Sequence, residues 1–183
     1  GSIRSTQTTS GNYADLKFYV APSDTPFEAM SIDTAGNVTK PYQPAFLAYN
    51  SATDSDVTGD GTYATVDFDT EVFDQGADFA SDTFTAPITG RYLLAAMART
   101  SGITAVADSI LIQLLTSNRN YISYQANSND MPTTMNMNLS MVVDMDASDT
   151  VSVRIRVSGE GSNVCDIEGD ADMRTSFSGC LLA

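Results

Sequence analysis

Strict alternation limits what this chain can become more than any other feature. Met135, Met137, Leu139, Met141, Val143 and Met145 recur at every second position, and Val151, Val153, Ile155 and Val157 repeat the pattern with Ser152, Arg154 and Arg156 between them. A period of two places each set on one face of a strand, where a helix would need apolar residues every three or four positions. At this spacing the methionines read as core, not as an adaptable binding surface. Shorter runs of the same kind occur at Leu16, Phe18 and Val20, at residues 29–32 and 46–50, at Thr62, Ala64, Val66 and Phe68, and at residues 71–73, 83–86, 91–99, 109–116, 121–126 and 175–182. Turn-forming residues separate them, residues 51–61 being the longest turn-rich stretch. Of the acids, 19 are Asp and 4 are Glu, and Asp suits turns where Glu suits helices. From residue 44 onward, eight to ten short strands with no helical period predict a sandwich, a jelly roll or a barrel.

Residues 83–98 form the organising stretch, read as strand, turn, strand. Pro87 cannot donate to a ladder and Gly90 tolerates backbone angles closed to other residues, so the break is a tight corner. Periodicity alone favours an ordinary buried hairpin here. Residues 92–98 are almost wholly apolar, and residues 110–115 are apolar apart from Gln113. Both read as strands covered on two faces, which a lone sandwich does not supply, so oligomerisation is expected to add the cover.

The length of 183 residues suits one large domain or one domain with a short appendage. Gly1-Ser2 reads as the scar of a cleaved tag, and residues 1–10 as a disordered or extended lead-in. Residues 11–43 hold a strand pair ending in the turn Asp33-Thr34-Ala35-Gly36-Asn37, with too little apolar surface to fold alone; a copy from another chain is the simplest cover. A proline-bearing link at residues 40–44 then leads into the second region, residues 44–183.

The net charge of -14 comes with only nine basic residues, scattered along the chain, which argues against nucleic acid as a partner. No apolar run exceeds seven residues, against the roughly 20 a spanning helix needs, so membrane insertion is not expected. Cys165 and Cys180 are read as two buried free thiols, with a bridge left open.

Asp15-Leu16-Lys17-Phe18-Tyr19 followed by residues 28–38 resembles the short repeat in the stalks of bacteriophage tail fibres, with Thr39-Lys40-Pro41 where Gly-Ile-Gly often stands. Phe84-Thr85-Ala86-Pro87-Ile88-Thr89-Gly90-Arg91-Tyr92 resembles the signature of the globular head of complement component 1q. Val66-Asp67-Phe68-Asp69 and Phe73-Asp74 precede it in the expected order, residues 146–156 resemble the penultimate long strand of that family, and residues 175–182 its closing strand, with Cys180 where an aromatic residue is common. Residues 57–62 with residues 73–76 are similar to its viral and bacterial members. The resemblance implies a ten-stranded jelly-roll sandwich of the complement component 1q and tumour necrosis factor kind, a homotrimer with exposed recognition loops, ending a short β stalk. Three chains would carry -42, three times -14, a self-repulsion that favours bound cations or high ionic strength.

Catalysis is not expected. The chain has no His, so the usual nucleophile–base pairs are missing, and paired carboxylates such as Asp67 and Asp69, which share a strand face and could do acid–base work, are better read as chance neighbours in an Asp-rich chain. Calcium is the favoured cofactor. Asp54, Asp56 and Asp60 begin like an oxygen-ligand calcium loop, although Thr65 stands where the closing Glu belongs, and Asp166, Glu168 and Asp170 form a rival segment that resembles the loop where some family members hold calcium. The expected function is the trimeric receptor-binding tip of a viral, most plausibly bacteriophage, tail fibre at the virion surface, contacting a host-surface glycan or protein through residues 100–108 and 127–134. The alternatives are a secreted, extracellular bacterial head that binds a ligand or trimerises a fibre, and a polysaccharide-cleaving spike using the paired carboxylates.

Overall fold

The computed structural model describes residues 2–7, 14–22, 24–126 and 131–182, all of them in strands, turns or irregular segments. The chain divides into two compact units, Gly1–Gln43 and Pro44–Ala183.

The first unit is an antiparallel meander of β1 (Ser2–Gln7), β2 (Ala14–Val20), β3 (Phe27–Ile32) and β4 (Val38–Thr39). Of the two readings of the lead-in, the extended one describes residues 2–7, which pair with β2 from Ser2 opposite Tyr19 to Gln7 opposite Ala14; residues 8–10 lie outside the described residues. The β3–β4 turn is built on Asp33. Its Oδ1 accepts the amides of Ala35 and Asn37 at 2.9 and 2.8 Å, and its Oδ2 accepts the Asn37 side-chain amide at 2.8 Å. Gly36 takes the left-handed φ of 87° that closes the turn.

The second unit contains β5 (Ala45–Tyr49), β6 (Asp54–Thr58), β7 (Tyr63–Thr65), β8 (Thr70–Gln75), β9 (Phe79–Ala80), β10 (Thr83–Thr85), β11 (Gly90–Ser101), β12 (Ser109–Thr116), β13 (Asn120–Ala126), β14 (Met135–Met145), β15 (Thr150–Ser158), β16 (Cys165–Ile167) and β17 (Ser176–Leu181). Ten of these make the body of a jelly roll, as two sheets ordered β13-β12-β15-β10-β9 and β14-β11-β17-β5-β8. Three short strands elaborate it: β7 on β15, and the β6–β16 pair at the far end of β11.

The hydrophobic layer between the sheets follows the alternation. Ile110, Ile112 and Leu114 face it opposite Val157, Ile155 and Val153, all at 0 % exposure. Tyr92, Leu94, Ala96 and Ala98 enter from β11 with Met137 and Val143 from β14. Phe46 stacks on Phe79 and Phe84 at 5.0 and 4.7 Å between ring centroids and meets Phe177 edge-on at 5.0 Å. Each such ring contributes about 1.5–3 kcal/mol by leaving water. The opposing ring of Phe46 explains Gly179, where a Cβ would stand 2.7 Å from both Phe46 and Leu94.

The structure corrects several expectations. The strands around Pro87 are not a hairpin: β10 pairs with β15 and β9, whereas β11 belongs to the other sheet. The tight corner is therefore a crossover between sheets, tied by the buried Tyr92 hydroxyl, which donates to the Ile88 carbonyl at 2.7 Å. Residues 51–61 are not all turn, since they contain β6. The strand β11 is not among these: within one chain Tyr92, Leu94 and Ala96 are buried while the outward Leu93 is 39 % exposed, the second cover being the one expected from oligomerisation. The strand β12 is covered on both faces within the one chain: Leu111 and Gln113, opposite Arg156 and Arg154 in the register, are buried on its outer face. Cys165 is buried but Cys180 only half-buried, and both are free.

Candidate functional site

Register places the outward side chains of the β14-β11-β17-β5-β8 sheet in rows. One row runs Val142, Leu93, Cys180, Ala45 and Gln75, and the next runs Ser140, Ala95, Ser178, Leu47 and Phe73. Most of these are apolar, and Leu93, Phe73 and Val142 are 39, 48 and 50 % exposed. An antiparallel sheet that met only water here would carry polar residues at those positions. The apolar rows converge on a shallow hollow of about 230 Å³ bordered by Phe73, Leu93, Ala95 and Cys180.

A second apolar surface lies at the lateral edge, where β13 ends one sheet and β14 ends the other. Tyr121 and Leu139 pack partly against the core there, and Met141, on the inward face of β14, is nonetheless 37 % exposed. The sandwich thus has an apolar face and an apolar edge that are different patches of one unit.

The two acidic segments read as rival calcium loops are neighbours in space, joined as the strands β6 and β16. Neither is a free loop. Asp56 has a left-handed φ of 56°, and its amide donates to Asp166 Oδ1 at 2.8 Å. Asp54 accepts the Asn50 side-chain amide at 2.6 Å. Asp60 accepts the Thr62 hydroxyl and amide at 2.7 and 2.9 Å, contacts that hold its carboxyl below the usual range. Glu168 lies 2.6 Å from Arg99 Nε in an ion pair without hydrogen-bond alignment and 3.5 Å from Arg174, and Asp170 lies 2.9 Å from Arg174. Among the described residues no three acidic, His or Cys side chains are arranged to hold a metal ion. Sequence reading missed these partners because Arg99 and Arg174 lie far from the segments in the chain or outside the acidic pattern.

Asp67 and Asp69 diverge. Burial and the neighbouring Asp82 carboxylate raise the Asp67 carboxyl, whereas the Ser51 hydroxyl and amide, at 2.7 and 3.0 Å, hold Asp69 low. Asp69 is a staple between segments. Burial raises the Cys165 thiol to about 12, so it is protonated and inert at neutral pH.

Of the two expected recognition loops, residues 100–108 are partly core: Thr100 and Ser101 belong to β11, and Ile103 and Ala107 are each 1 % exposed. Both oxygens of Glu160 hold Thr104, and the exposed tip is Val106. In the second loop residues 127–130 lie outside the described residues, and Met131 is buried. Register sets the described parts of both loops, residues 100–108 and 131–134, at one end of the sandwich. Thr100 and Met135 pair there, whereas Ala45, next to the entry of the chain at Pro44, is level with Leu93 at the opposite end.

No protein-family model matches the sequence, and no curated protein does. Solved structures share the fold. The globular domain of a zebrafish complement 1qA protein is 16 % identical, with a TM-score of 0.55 over 77 % of this chain and 98 % of that one. Murine APRIL, in a crystal grown at pH 8.5, is 12 % identical, with a TM-score of 0.51 over 76 % of this chain and 99 % of that one; at pH 5.0 it is 13 % identical, with a TM-score of 0.52. At these identities the likeness is one of fold: this chain carries a complement 1q-like jelly roll.

Proposed function

We propose that this chain is the end of a trimeric attachment fibre, with residues 11–43 closing a stalk and residues 44–183 forming a non-enzymatic head that binds a host-surface glycan or protein. A tail-fibre tip on a bacteriophage is the setting we favour, on the stalk-like repeat at residues 15–38. The observation that carries the trimer is the exposed apolar face around Leu93 and Phe73, matched by a separate apolar edge at Leu139 and Met141. Two different patches that meet make a head-to-tail contact, which closes into a ring when the rotation allows. Three copies would cover both patches at once. The distal loops would then face away from the point where the chain enters the head.

Light scattering tests this. The native mass is expected near three chains, and Leu93→Asp is expected to reduce it to one while the β-sheet circular dichroism signal stays, because Leu93 is outside the core. A monomeric wild type would overturn the reading. Run with calcium and again with chelator, the same measurement tests the calcium expectation: a mass or melting temperature that differs between the two would put the ion in the assembly, and unchanged values would remove it. Adsorption to intact host cells without loss of surface polymer is the outcome expected of a binder, and depolymerisation is the outcome that would restore the cleaving alternative.

A further inference from the structure

The chain has nine basic residues against 23 acids, so a cation can readily find a partner. Lys17, Arg99, Arg119 and Arg174 each lie within 4 Å of a carboxylate. Arg154 and Arg156 pair with no acid among the described residues, and their Nε atoms are buried without a hydrogen-bond partner. They sit two positions apart on one face of β15, about 7 Å between Cα atoms, so both heads can reach one small anion. The register surrounds them: Tyr63, Arg156, Leu111 and Tyr124 form one row across four strands, and Thr65, Arg154, Gln113 and Ile122 form the next. The Arg156 guanidinium lies over the Tyr63 ring, 5.2 Å from its centre, and Tyr124 is 57 % exposed at the other end of the row.

We propose that Arg154 and Arg156, framed by Tyr63 and Tyr124 on the outer face of the β13-β12-β15-β10-β9 sheet, bind the carboxylate of an acidic sugar. Guanidinium forks match a carboxylate in two-point geometry, here through the terminal NH2 groups, since the Nε atoms are buried. Exposed tyrosine rings on either side offer flat apolar surfaces for a sugar ring and hydroxyls for its oxygens. A long polyanion would be repelled by the net charge of -14, whereas one carboxylate is held at short range where that field is screened. Leu111, opposite Arg156 in the register, is 3 % exposed, and neither Nε–H has a hydrogen-bond partner. This face is on the other side of the sandwich from the apolar rows around Leu93, so a trimer would present three copies outward.

The inference rests on the reading of this chain as a recognition head, though not on its oligomeric state. The test is an NMR titration of the full chain with glucuronic acid and with N-acetylneuraminic acid, with glucose and acetate as controls. Both sugar acids are expected to shift the side-chain resonances of Arg154, Arg156, Tyr63 and Tyr124, with glucose and acetate binding at least about tenfold more weakly. Arg154→Gln with Arg156→Gln is expected to weaken the acids by about tenfold or more at unchanged native mass, and the double Lys variant, which keeps stem and charge but loses the fork, to fall between. No shifts at about 10 mM sugar acid, equal binding of glucose, acetate as tight as the sugars, or undiminished binding by the double Gln variant would each overturn the proposal. An acid-binding monomer would leave this site standing and overturn the trimer; a trimer blind to sugar acids would do the reverse.

Discussion

The two units of this chain use the same kind of strand to opposite effect. In the second unit alternation produces a closed layer, with Phe46, Tyr92, Phe177 and the valines of β15 at or near zero exposure. In the first unit no described side chain is buried; all six residues of β3 are half-buried, and Leu16, Val20 and Val38 are 36, 41 and 56 % exposed. One meander of four strands has two faces and no second sheet within its own unit, whereas two sheets give each other cover. On the trimeric reading proposed above, neighbours would supply stability to the first unit and assembly to the second.

The sharpest way to break that comparison is to remove a ring from each unit. Phe46→Ala is expected to cost about 3–5 kcal/mol in chemical denaturation, the usual range for a fully buried aromatic. Phe18→Ala, made in the full chain, should leave the midpoint of the second unit's unfolding transition unchanged. Equal losses would mean that the first unit has a core of its own. Next in size, residues 44–183 produced alone should retain slow amide exchange in β11 and β15, while residues 1–43 alone should exchange at unfolded-chain rates.

Thiol chemistry separates the faces of the second unit. Cys165 should ignore a disulfide reagent until the protein unfolds, and Cys180, beside Leu93 on the apolar rows, should react faster in the Leu93→Asp variant than in the wild type. Because burial raises the Cys165 pKa, its contribution to stability is complete below the ordinary thiol range and is lost as pH climbs from there toward about 12. Denaturation midpoints above pH 9 should fall accordingly, and the slope should be shallower in Cys165→Ala, with the buried Tyr92 phenol, also raised by burial, keeping part of it.

Smaller still, Tyr92→Phe deletes the bond to Ile88 at the crossover and is expected to cost about 1 kcal/mol. The mildest effect belongs to the first unit. The Asn37 side chain and the backbone amides of the turn hold the Asp33 carboxyl below its usual range, so the turn is supported above the ordinary aspartate pKa and loses that support as pH falls through the lowered one. NMR shifts of Ala35 and Asn37 followed on acidification should report a midpoint below that of a free aspartate.

Most of the strands were legible because each sets its own period. Residues 109–116 and 135–145 are strands to the residue, and Val66 and Phe68 are buried as their alternation requires. What escaped were strands of two or three residues, such as β9 and β16, which are too short to show a period, and β6, whose Asp-rich sequence reads as turn. The candidate calcium residues show the same limit. Their types and order were visible, but the amide of Asp56 on Asp166 and Arg99 on Glu168 come from segments far away in the chain, and Arg174, four residues from Asp170, falls outside the acidic pattern.

By itself the sequence determined the class of fold, the inward set of each long strand and the scarcity of cations, because period and composition are local properties. Tertiary structure alone decided that the corner at Pro87 crosses between sheets, that β11 leaves Leu93 in the open, and that Arg154 and Arg156 stand between tyrosines from β7 and β13. These depend on which strands lie side by side, and strand pairing is set by the packing of the whole layer, not by any stretch read in isolation.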